Sequence, residues 1–282
     1  MYDVPSSITV EADGPLRIIR LNRPDELNAV NHDLHEGLAD LFPQITADRE
    51  ARAVVITGNG KAFSAGGDFN YLDELSTDAT LRRATIDAGK RLVLGMVQCR
   101  APVVAAVNGP AVGLGCSLVS LSDIVFMARS AHLADPHVVV GLVAADGGPI
   151  TWPLHTSLLL AKEYAFTGDR ISAERAAAIG LVNHVCEDDE VFDAALACAR
   201  KIAKLPQYAV EATKRVLNMH MERAVLATID FALAAEYESF TTDDLRKPRP
   251  HPQAPLTTGR APAAAAGRAN RGLAQTASAE WT

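Results

Sequence analysis

Hydrophobic and polar positions alternate over residues 8–10 and 16–21 on either side of Asp13-Gly14-Pro15, which predicts a β-hairpin. Three apolar runs rich in Val, Ile and Ala, at 53–57, 103–107 and 123–128, read as buried strands. Between them the period changes. Leu34, Leu38, Leu41 and Ile45 share one face of a helix that Asn31 can cap and that runs to about Asp48. Leu81, Ala84, Ala88, Leu92 and Met96 do the same over 80–98. Strands alternating with helices predict a parallel α/β arrangement. From residue 158 onward the pattern is helical throughout: 158–166, 172–179, 190–203, 206–219 and 224–240, with Ser172-Ala173-Glu174-Arg175 and Pro206 as start signals. The last helices carry apolar residues on more than one face, which suits subunit contacts as well as packing on the core.

Two segments interrupt this pattern in the same way. Lys61-Ala62-Phe63-Ser64-Ala65-Gly66-Gly67-Asp68 follows the strand at 53–57, and Asn108-Gly109-Pro110-Ala111-Val112-Gly113-Leu114-Gly115 follows the strand at 103–107. Each opens into a helical pattern. Such elbows aim unpaired backbone N–H groups outward. A stack of repeated units would set the two elbows side by side, where two N–H groups can hold a carbonyl oxygen as it becomes an oxyanion. Enzyme chemistry through an enolate or tetrahedral oxyanion follows. The bland alternative for Gly66-Gly67 is a tight turn, and for Asp68 the N-cap of the next helix.

Charge and composition narrow the partners. A formal net charge of −7 argues against nucleic acid or an anionic membrane surface. Cys99, Cys116, Cys186 and Cys198 form no C-x-x-C pair, so they read as reduced thiols in a cytoplasmic protein, and no cluster has metal-ligand spacing. Neither a signal peptide nor an apolar run of transmembrane length is visible. Residues 247–282 hold ten Ala and five Pro with only Leu256 and Leu273 as large aliphatics, a composition expected to stay disordered. The organisation expected is a core with the active site over 1–200, a helical oligomerisation region over 201–246 and this tail.

Five motifs in order give the chain a family resemblance. Leu21-Asn22-Arg23-Pro24 with Leu27-Asn28-Ala29, then 62–68, then 102–109, then Thr167-Gly168-Asp169-Arg170-Ile171-Ser172-Ala173, then Gly180-Leu181-Val182-Asn183, resemble the crotonase superfamily of enoyl-CoA hydratases and isomerases over about residues 8–246. The resemblance implies an α/β fold of stacked β-β-α turns, a helical C-terminal part that trimerises (often as a dimer of trimers), and a CoA thioester as substrate with no separate cofactor. It puts the oxyanion hole on the N–H groups of Gly67 and Leu114. Leu stands there where Gly is usual, an isobutyl group that could narrow the passage for acyl groups. Ala65, Asp68, Lys61, Gly113, Ser117 and Trp152 become candidate substrate neighbours, Lys61 as a cation near the nucleotide phosphates. Asp25 and Glu26 stand where many relatives carry a basic residue.

The two glutamates that family hydratases use fall on Ser117 and His137, so both carboxylates are gone. Ser117 cannot act as a base near neutral pH without a partner, and reads more simply as a small helix residue beneath the pocket. His137 and Asp146, nine residues apart and ahead of Trp152-Pro153, are similar to the pattern of the oxocamphor hydrolase branch, in which Asp orients His and His activates water. That branch also has a His where this chain has Leu114. A carboxylate that fixes the imidazole tautomer yields a base suited to pH 7. His132 and Asp135 stand near the same loop, and either could replace His137 as the pair's partner. Three functions follow: an enoyl-CoA hydratase-like enzyme using Gly67, Leu114 and His137 with Asp146; a carbon–carbon hydrolase of β-diketones; or a non-catalytic acyl-CoA binder.

Overall fold

The computed structural model describes residues 2–245. Polar Asp13-Gly14 turns the chain between β1 (Ile8–Asp13) and β2 (Leu16–Leu21), which pair antiparallel as the alternation predicts. Then come α1 (His32–Ala47), β3 (Ala53–Gly58), α2 (Phe69–Thr77), α3 (Ala79–Gln98), β4 (Val103–Val107), β5 (Ala111–Val112), α4 (Leu114–Ser120), β6 (Ile124–Ala128) and β7 (His132–Ala134). The second half holds α5 (Gly148–His155), α6 (Leu158–Thr167), β8 (Ile171–Ser172), α7 (Ala173–Ala178), β9 (His184–Cys186), α8 (Val191–Ala203) and α9 (Gln207–Ser239).

One sheet runs in the order β1-β2-β3-β4-β6-β9, parallel from β2 onward, and a second, small sheet has the order β5-β7-β8. Every residue of β3 and β4 is buried, the signature of strands covered on both faces. Helix α8 packs across β2, β3, β4 and β6. Asn31 accepts from Leu34 N and caps α1 as expected. This is the stacked α/β fold that the motifs imply.

The expected break between helices at 206–219 and 224–240 is absent: α9 is one helix of 33 residues. Residues 220–223 contain neither Gly nor Pro, and Glu222 is bonded to Arg215 and to Gln98 of α3, so nothing there stops a helix. Lys214 near its start is buried, donating to Asp123 Oδ2 at 2.7 Å and Ala101 O at 2.9 Å, while Val225, Ile229 and Leu233 bury its middle against the core. Among the described residues, no helix is long and apolar enough to cross a membrane. The tail at 247–282 lies outside the described residues.

Candidate active site

The two elbows are stitched together by backbone. Ser64 N donates to Pro110 O at 3.0 Å, and Val112 N returns the bond to Ser64 O at 2.9 Å. The first elbow is also braced from 27–30: Ala65 N donates to Leu27 O, Val30 N to Gly66 O at 2.7 Å, and Asp68 N to Val30 O at 3.0 Å. Gly66 (φ +89°) and Gly113 (φ +53°) occupy backbone space that other residues enter at a cost, and a Cβ on Gly113 would lie 3.6 Å from Gly66 Cα. The glycines are what let the bends approach so closely.

After this bracing, the N–H groups of Gly67 and Leu114 have no acceptor among the described residues. Gly67 is exposed, and Leu114 is the first residue of α4, where an N–H has no helical partner. The Leu114 side chain is enclosed in the main apolar core. Asp68 caps α2 through Asn70 N and pairs with Arg23 at 3.1 Å, which is the structural role that the sequence offered as its alternative. Lys61 is exposed at the start of the first elbow, and Ala65 is half-buried with its N–H used. Trp152 is fully buried and donates from Nε1 to Ser120 Oγ at 3.0 Å, so the expectation that it touches substrate is replaced by a core role.

His137 faces the second elbow, its Cε1 and Nε2 3.6 and 3.9 Å from where a Cβ on Gly113 would stand. The expected pairing of its ring with Asp146 is not what forms. The Nδ1 side is hydrogen-bonded to Asp135 Oδ1, two residues earlier across Pro136. Asp135 is buried, its Oδ2 packed against Gly148 at the start of α5 with no hydrogen-bond partner among the described residues. Asp146 instead accepts from Ser117 Oγ at 2.9 Å. Ser117 therefore brings a carboxylate to the place where its own residue type supplies none.

Glu236, on α9, is the residue that sequence reasoning missed. The helix turn that carries it docks on the loop after His137, because Ser239 Oγ accepts from Val143 N at 3.2 Å. Burial pushes Glu236 up to about 8; Asp146 and Asp135 add to the rise, and His137 opposes it. Burial and Asp135 also raise Asp146, while His137 and the Ser117 bond pull it down. For His137, burial works against the charge, yet Asp135, Asp146 and Glu236 outweigh it and hold the imidazole at about 10. The cluster thus favours the charged imidazole, while burial works against the charge on the neighbouring Asp146 and Glu236 carboxyls.

A family model described as enoyl-CoA hydratase/isomerase matches residues 11–251, and the chain belongs to that family, within the crotonase superfamily. It is 31% identical over 240 residues to a short-chain enoyl-CoA hydratase of Clostridium acetobutylicum, covering 85% of this chain and 91% of that protein. A crystal structure of an enoyl-CoA hydratase/isomerase from Mycobacterium paratuberculosis is 68% identical with a TM-score of 0.86, over 87% of this chain and 98% of the other. A β-diketone hydrolase from Anabaena sp. PCC 7120, bound to (S)-3-oxocyclohexyl acetic acid, is 28% identical with a TM-score of 0.79, over 86% and 96%. The chain is thus an enzyme-family member with relatives that act on acyl-CoA.

Proposed function

We propose that the protein is an acyl-CoA enzyme that adds water across, or shifts, a conjugated double bond, with both usual glutamates replaced by an imidazolium–carboxylate pair. The thioester oxygen binds between Gly67 N–H and Leu114 N–H, which take up the charge as the enolate develops. Asp146, presented by Ser117, accepts a proton from water as its oxygen bonds to the β-carbon. His137, held charged by Asp135, delivers a proton from Nε2 to the α-carbon. Water is thereby added with no proton left over, and exchange of one proton between the two groups restores the resting state. Glu236 neighbours both and can carry that proton.

The observation that carries this reading is the pair of unengaged elbow N–H groups beside His137. Exposed Lys61 supports recognition of CoA phosphates. The test is loss of enoyl absorbance from crotonyl-CoA, with ¹⁸O from labelled water in the product. Turnover with label incorporation is expected. Tight crotonyl-CoA binding without any turnover would instead favour the non-catalytic binder.

A second reading, hydrolysis of a carbon–carbon bond in a β-diketone, is favoured by the imidazole at the reacting position and by the likeness to the Anabaena enzyme. A cyclic β-diketone opened to a keto acid, with no affinity for any acyl-CoA, would replace the first reading by this one. Self-association belongs to the same proposal. Leu158, Leu159, Phe166, Tyr208, Leu226 and Phe231 are exposed apolar side chains on α6 and α9. Light scattering should return the mass of a trimer or of two trimers, and a monomer at micromolar concentration would refute that.

A further inference from the structure

A second apolar cluster, separate from the main core, lies beside the first elbow and the His137 turn. Tyr71 and Leu75 of α2, Leu142, Phe240 and Leu245 form it, each at least 95% buried. It is continuous with the site on both sides. Leu72, packed against this cluster, places its Cδ2 3.3 Å from where a Cβ on Gly67 would stand, so the same side chain covers the first elbow. Opposite, Leu142 N donates to His137 O at 2.8 Å, which makes the cluster the direct extension of the His137 turn. The cluster therefore borders both the first elbow and the His137 turn.

Three pieces of chain are locked around it. Arg82 of α3 donates from Nη1 to Leu75 O at 2.5 Å and stacks over the ring of Tyr237 on α9, 4.7 Å from its centre, tying α2 to α9. Tyr71 and Thr85 share a hydroxyl–hydroxyl bond of 2.5 Å, which fixes α2 on α3. Gly141 packs against the backbone of Asp244 and Leu245. The cluster side chains are packed, so extra methylenes entering among them must displace neighbours.

We propose that this cluster is the end wall of the acyl compartment, that Phe240 and Leu75 set the longest acyl group admitted, and that the enzyme is a short-chain one. The inference rests on the acyl-CoA reading above and adds the residues that decide substrate length. It is tested on the full chain by kcat/KM over straight 2-enoyl-CoA thioesters from crotonyl to dodecenoyl, with dissociation constants of the saturated acyl-CoAs measured in parallel. Wild type should favour crotonyl-CoA and lose activity steeply with length. In F240A or L75A the ratio of octenoyl- to crotonyl-CoA should rise about tenfold or more, the scale expected when methylenes are given room. F240L, a milder change, should move the profile in the same direction and covers the case in which F240A does not fold. Equal wild-type activity on dodecenoyl- and crotonyl-CoA, or an unmoved length profile in folded variants, overturns the wall while leaving the acyl-CoA reading standing. Failure of every acyl-CoA to bind wild type overturns both.

Discussion

Replacing Asp135 by Asn isolates the force that sets the charge of His137. An asparagine Oδ1 can still accept from Nδ1–H, so the tautomer and ring position are kept while the charge is removed. His137 stands at about 10 against an ordinary 6.5, with only 13% of its side chain exposed. At 1.36 kcal/mol per unit this is a preference of up to about 5 kcal/mol for the imidazolium. Asp135 is in direct contact, whereas Asp146 and Glu236 act on the ring through charge without a hydrogen bond to it. Most of the preference should therefore leave with Asp135, a fall of about two units or more. The assay is NMR of the ¹⁵N-labelled imidazole against pH. In wild type His137 stays protonated through neutral pH; in Asp135→Asn it titrates at about 8 or below, and kcat/KM for an enoyl-CoA shifts its optimum toward acid. A wild-type midpoint near 6.5, or one that Asp135→Asn leaves in place, would refute the argument.

Three further outcomes follow from the same geometry. Gly67→Pro deletes one elbow N–H and should lower turnover about 100-fold or more, roughly 3 kcal/mol; circular dichroism checks the fold, and a folded variant with full activity removes the oxyanion role. Glu236→Gln should flatten the loss of stability that runs from about pH 4.5 to 8. The folded protein holds a proton on this carboxyl up to about 8 where the unfolded chain releases it near 4.5, so that stabilisation is complete below about 4.5 and is lost as pH rises through 8. Melting temperature from pH 5 to 9 is the measurement, and identical slopes in variant and wild type contradict it. Ser117→Ala leaves Asp146 without its donor, which should cost about 1–3 kcal/mol by urea unfolding and should lower kcat more than it raises KM for an enoyl-CoA; unchanged kinetics would exclude Asp146 from proton transfer.

Much of the framework was legible because it is written locally. Apolar runs ending in Gly-bearing turns reveal both elbows, and the capping Asn31 and the turn at Asp13-Gly14 mark element ends through their own side chains or backbone. The partner of His137 was not legible in this way. Asp135 and Asp146 are both acids close by in sequence, and nothing in the local pattern says that the chain bends at Pro136 to bring the nearer one onto the ring. Glu236 was further out of reach, 99 residues from His137 and within a helix whose unbroken course the apolar pattern did not reveal. Trp152 illustrates the converse. Its spacing from His137 matched a functional pattern, but burial and the bond to Ser120 show that the ring is a packing element.

The 33-residue α9 has one more implication. It is moored at one end by Lys214 under the sheet and carries Glu236 at the other, 22 residues and about 33 Å along the same axis. Such a rod acts as a ruler: the acid reaches its neighbours only if every intervening turn keeps its length. An insertion or deletion of one residue anywhere between the mooring and the tip would rotate the carboxylate by about 100° and swing it off the cluster, so this stretch should tolerate substitutions on its outer face yet no change in length.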